Sequence, residues 1–274
     1  MSNNNEFWLQ TSRFTDPGEY RWMYDSLPDT IPEICEVIHK QLIHIVMANN
    51  FSKAIKRKIE REDFRLQTVA SMLQALNERC PGTLINERTP DERIIVTCRS
   101  YSILLASILK HKKIPCRVRV GFAPYIKNDG SFIDHWICEY LDTSDDKWKL
   151  VDPDTRRYNI SDDDFVLSGR AWQGARKKEL DPEKFGWGDY WGSSYILNNL
   201  CCDLACITGS EVFYCTESNI SLKELEKLNC EEVHLLDETA ELLRYPENCI
   251  DHLTAMMCMD EFKLRADYLP ADKV

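Results

Sequence analysis

The chain has 274 residues, 43% of them hydrophobic and seven of them tryptophan, enough to bury a core in one large or two modest domains. Its 45 acidic residues outnumber 34 basic ones, and a formal charge of −11 opposes the phosphate-neutralising balance of a nucleic-acid binder. No stretch approaches the roughly 20 apolar residues of a membrane span. Residues 1–6 also lack the basic-then-apolar order of a signal peptide, so the expectation is a cytoplasmic protein with neither nucleic acid nor membrane as partner.

Residues 1–30 are polar and aromatic without a period, with Asp16-Pro17-Gly18 marking a turn, and read as an extended lead-in. Over residues 32–49, Ile34, Ile38, Leu42, Ile45 and Val46 recur at helical spacing, which predicts one helix ending at Asn49-Asn50. The charge-dense residues 52–62 read as a solvated helix face. Leu66, Val69, Ala70, Leu73 and Leu76 mark a second amphipathic helix, stopped by Pro81-Gly82.

From Cys98 to about His111 the chain is apolar nearly all round, which predicts a buried helix. After Pro115, Val118, Val120 and Phe122 alternate with Arg117, Arg119 and Gly121, the period of a half-buried strand over residues 116–123. Asn128-Asp129-Gly130 supplies turn chemistry before strands over residues 132–141 and 148–151. Beyond Pro153 the pattern becomes helical and irregular, with a helix start at Asp162-Asp163-Asp164 and short helices over residues 222–228 and 237–243. The glycine- and aromatic-rich residues 186–192 read as a loop that either packs on the core or faces a substrate.

Twelve cysteines without an export signal are expected to be free thiols, and Cys35, Cys80, Cys116 and Cys138, among apolar neighbours, read as small buried hydrophobes. Cys201, Cys202, Cys206 and Cys215 invite a zinc reading, but their spacing fits no two-knuckle pattern. Cys98 is different, because the start of a helix favours the thiolate through unpaired amides and the helix dipole. Its base must be one of six histidines: His39, His44, His111, His135, His234 and His252. His111 lies about 20 Å away at the far end of the same helix. His135 lies within a strand, and Asp152 ends the next one, where neighbouring antiparallel strands can set a carboxylate beside an imidazole and hold its tautomer. Each has an ordinary alternative: a helix-cap thiol, a core histidine, an Asx turn before Pro153.

Thr97-Cys98-Arg99-Ser100-Tyr101-Ser102-Ile103-Leu104-Leu105, then Ile114-Pro115-Cys116-Arg117-Val118, His135-Trp136 and Trp148-Lys149-Leu150-Val151-Asp152-Pro153 resemble the transglutaminase-like core of the papain-like superfamily. The resemblance covers about residues 90–155. Val96 and Ser100 stand where that family usually has glycine and often an acidic residue. The resemblance implies an α+β fold with a central helix on an antiparallel sheet, a thiol nucleophile at Cys98, a general base at His135 and an orienting carboxylate at Asp152. The implied reaction is acyl transfer on the amides of a protein or peptide substrate through a thioester, with no cofactor. From another class, the alternative is a catalytically silent interaction module of the same fold. The backbone amide of Cys98 is one candidate oxyanion donor, and Gln67, Gln74, Trp22 and Trp136 are candidates for the second. The expected division is a helical lead-in over residues 1–60, a catalytic core over 61–160 and a helical region over 161–274.

Overall fold

The structure is a computed structural model that describes residues 4–265. It is a mixed α/β chain that separates into two compact units. The first unit is Trp8–Cys116 with Ile137–Asn159; the second is the described part of Met1–Phe7, Arg117–Trp136 and Ile160–Val274. Two strands, β3 and β4 below, have residues in both.

In the first unit, α1 (Ile31–His39) is opened by Thr30, whose hydroxyl accepts from the amide of Glu33, with Pro32 in the first turn. The helix stops at Lys40, and Leu42–His44 forms β1. The apolar spacing that predicted one helix over residues 32–49 is divided here. Leu42 and Ile43 pair with Ile94 and Ile95 of β2 (Ile94–Val96) in a short parallel ladder, and tertiary pairing overrides local periodicity. Ile45–Phe51 is a 3-10 helix. Residues 52–62 are irregular rather than a helix face, because Ile55 and Ile59 turn inward onto Ile43, Ala48 and Ile95. Glu62 is buried, takes Arg57 and Arg79, and accepts from the amide of Ile95 at 2.8 Å.

Helix α2 (Val69–Arg79) has a capping box between Thr68 and Ser71. Helix α3 (Cys98–His111) packs against α1 and α2 and is buried from Arg99 to Lys110, in keeping with its apolar sequence. The lead-in is not extended: Asn4–Leu9 and Gly18–Tyr24 are 3-10 helices, and Trp8, Phe14, Met23 and Tyr24 are buried.

The chain continues through β3 (Cys116–Ala123), β4 (Phe132–Asp142), β5 (Lys147–Asp152) and β6 (Arg157–Ile160), the first three beginning and ending within a residue or two of expectation. Within the first unit β4 and β5 run antiparallel, with Cys138 opposite Val151 and Asp142 opposite Lys147. In the second unit β3 pairs with β7 (Val166–Leu167), and β7 leads into α4 (Ser168–Arg176). The expected helix at Asp162-Asp163-Asp164 is a turn, since the strand pairing of Val166 claims the chain first. Residues 186–192 fall in a hairpin of β8 (Phe185–Trp187) and β9 (Tyr190–Trp191), followed by α5 (Ser193–Ile207).

Helices α6 (Cys230–Leu242) and α7 (Ile250–Met257) complete the second unit, α4 packing on α5 and α6 and α5 on α7. Residues 222–228 hold only the 3-10 turn Leu225–Lys227, and residues 237–243 belong to α6 and its cap. Strand β3 departs from its half-buried pattern, because all eight residues are buried. Arg119 donates to Asp203 of α5 through Nε (3.2 Å) and Nη2 (3.0 Å), and Arg117 pairs with Glu247 at 3.0 Å. Covering these arginines is tolerable only because each meets a carboxylate. Among the described residues no helix is long and apolar enough to cross a membrane.

Candidate functional site

Cys98 is the first residue of α3, immediately after a strand. β2 ends at Val96, Thr97 keeps an extended backbone (φ −117°, ψ 177°), and the helix begins. A threonine at this position ordinarily turns its hydroxyl onto the first helix amides. Here Thr97 Oγ1 donates to the buried carboxylate of Asp63 at 2.7 Å and makes no capping bond. Asp63 in turn is held by Arg61 at 2.8 Å. Half-buried Cys98 therefore stands at the positive end of a 14-residue helix to which its N-cap threonine gives no side-chain bond. The guanidinium of Arg99 donates to the Gln67 carbonyl at 3.1 Å and lies 5.2 Å from the Phe14 ring centroid.

Asp152 ends β5 with no exposed surface. Its carboxylate accepts from the amides of Asp154 (2.9 Å) and Thr155 (3.1 Å) and from the Thr155 hydroxyl (2.5 Å), an Asx turn that fixes the carboxylate's position. The next residue is anchored as well, since His39 Nε2 donates to the Pro153 carbonyl at 2.8 Å. Burial pushes the Cys35 thiol up to about 12, and the nearby Asp152 charge adds to that shift.

His135 lies in the part of β4 that belongs to the second unit and is 2% exposed. The Tyr125 ring meets it edge-on, 6.2 Å between centroids. Its neighbour Asp134 is held from α5, accepting from Tyr195 Oη at 3.0 Å and Asn199 Nδ2 at 2.7 Å. Burial raises the Asp134 carboxyl to about 6, against the two hydrogen bonds and the His135 charge, which lower it. Tyr125, Asp134, Tyr195 and Asn199 were not singled out from sequence. The i, i+4 spacing of Tyr195 and Asn199 was the available signal, obscured because the polar residues of α5 gather on no single side of the helix.

The four candidate oxyanion side chains differ in exposure and partners. Trp22 is 41% exposed on its 3-10 helix, and Gln74, on the exposed side of α2, donates to Glu78 at 2.9 Å. Gln67 donates to the Phe64 carbonyl at 3.0 Å. Trp136 is the buried one of the four, at 1%. Of the zinc candidates, Cys201, Cys202 and Cys206 are buried on α5, and Cys215 follows in a loop. Among the described residues no group of three or more His, Cys, Asp or Glu is disposed to hold a metal ion. All twelve cysteines are free thiols. No family model, curated protein or solved structure matches this chain.

Proposed function

We propose that the chain performs cysteine-dependent acyl transfer on amides of a peptide backbone or glutamine side chain. The thiolate of Cys98 attacks the carbonyl carbon, and the Cys98 backbone amide steadies the oxyanion. His135 holds the thiol proton and delivers it to the departing amine or ammonia as the carbon–nitrogen bond breaks, leaving a thioester. Water or an amine then attacks the thioester and gives its proton to His135. Asp152 orients the imidazole and balances its charge during both halves.

The observation that carries this reading is the start of α3. Thr97, the N-cap residue, turns its hydroxyl to Asp63 and makes no capping bond, and Cys98 follows it as the first residue of the helix, where the helix dipole favours a thiolate. Asp152 is a fixed, buried carboxylate and His135 a buried histidine, the residue types that the proposed chemistry calls for.

The reading is tested by incubating the chain with dimethylated casein, an unfolded glutamine-containing polypeptide, with and without hydroxylamine. Release of ammonia, hydroxamate formation, and loss of both in Cys98→Ala are the expected results. No ammonia, no new peptide ends and no acyl adduct on Cys98 by intact mass would leave a silent module of the same fold.

A further inference from the structure

The β8–β9 hairpin holds aromatic side chains out into solvent on a stiff frame. Only the first of its two turn residues, Gly188, has positive φ (+60°), the type II′ pattern whose twist matches the strands. A Cβ on Gly186 would fall 2.2 Å from the Tyr190 carbonyl oxygen, so glycine is what lets the two strands close. Trp191 Nε1 donates to the Gly188 carbonyl at 2.7 Å, tying its indole across the turn. Lys127, from the loop before β4, sets its ammonium 5.4 Å from the Trp187 ring centroid and 5.7 Å from that of Trp191. Yet Trp187 remains 43% and Tyr190 74% exposed, so these rings contribute little to the core.

Two links tie this surface to His135. Gly186 pairs with Ile133, which roots the hairpin on β4 two residues before His135. Tyr125, two residues before Lys127 in the same loop, meets the His135 ring edge-on. Resting on the acyl-transfer reading, we propose that Trp187, Tyr190, Trp191 and Lys127 form the docking platform for an extended polypeptide segment that carries the reacting amide.

The chemistry of the platform selects that occupant. Among the described residues β9 pairs with β8 alone, so an extended chain that adds to its other edge has no sheet strand to displace. Tryptophan and tyrosine offer large contact area at small entropic cost, for any apolar or aromatic side chain in the segment. The Lys127 ammonium favours a segment that also carries a carboxylate.

The experiment measures binding of fluorescent dimethylated casein, an acidic unfolded polypeptide, to the Cys98→Ala chain by anisotropy, so that turnover plays no part. Adding Trp187→Ala and Tyr190→Ala should weaken binding at least about tenfold, as loss of aromatic anchors does, and Lys127→Met by a smaller factor. All three are exposed positions, and an unchanged melting temperature checks that the variants fold. Affinity unchanged within about twofold, or no binding by the Cys98→Ala parent, overturns the platform. Hairpin-dependent binding in a chain whose wild type releases no ammonia keeps the platform and removes the reaction.

Discussion

Tyr195 donates to one carboxylate oxygen of Asp134 while Asn199 donates to the other, so α5 grips β4 one residue before His135. The Asp134 carboxyl, ordinarily near 3.8, is raised to about 6 by burial. Between those values the native state holds a proton that the unfolded chain has lost, and rising pH therefore lowers stability over that window. Asp134→Asn can keep both hydrogen bonds, since the phenol can turn to accept. Relative to wild type, the variant should gain stability as pH rises from about 4 to about 6, and the difference should then level off. Urea unfolding at several pH values measures it, and a constant difference contradicts the account.

The buried pair of Arg119 and Asp203 should couple strongly. Asp203 also accepts from the Val120 amide at 2.8 Å and the Ser168 hydroxyl at 3.1 Å. Asp203→Leu takes the Asp203 carboxylate away from a buried guanidinium and should cost about 3–5 kcal/mol. Replacing both, Arg119→Met with Asp203→Leu, should cost less than the sum of the two single changes, because the double variant loses the Arg119–Asp203 pair only once. A double-mutant cycle in urea decides this, and additive losses would show no coupling.

Asp152 has two roles open to it, and substitution separates them. Its local turn would accept asparagine readily, since the side-chain oxygen can still take the amides of Asp154 and Thr155. An orienting carboxylate would not, because the amide can select the wrong imidazole tautomer. Asp152→Asn should melt within a few degrees of wild type and lose thioester formation by about three orders of magnitude or more. Retained activity would confine Asp152 to the turn.

Much of the chain is legible without coordinates where one local signal dominates. The bounds of α3 follow from an apolar run between Thr97 and Pro115, and β4 and β5 follow from turn residues on either side. What escapes is decided by partners distant in sequence. Leu42 and Ile43 keep helical spacing with Ile38 yet pair with Ile94 and Ile95, and Arg119 reads as solvent-facing until Asp203 covers it. The candidate site divides in the same way. Cys98, His135 and Asp152 stand out by residue type and element order, whereas the diversion of the Thr97 hydroxyl to Asp63 and the hold of α5 on Asp134 need the fold.

Competition among the twelve thiols tests the central claim most directly. Cys35, Cys138, Cys201 and Cys202 are buried and their thiols raised, whereas Cys230 and Cys258 are exposed. On access alone those two should react first, and half-buried Cys98 later. With iodoacetamide limiting and pH near neutral, peptide mapping should find Cys98 labelled ahead of both, with the preference lost in His135→Ala. Labelling of Cys230 and Cys258 first, with Cys98 unmodified, would contradict an activated nucleophile at the start of α3.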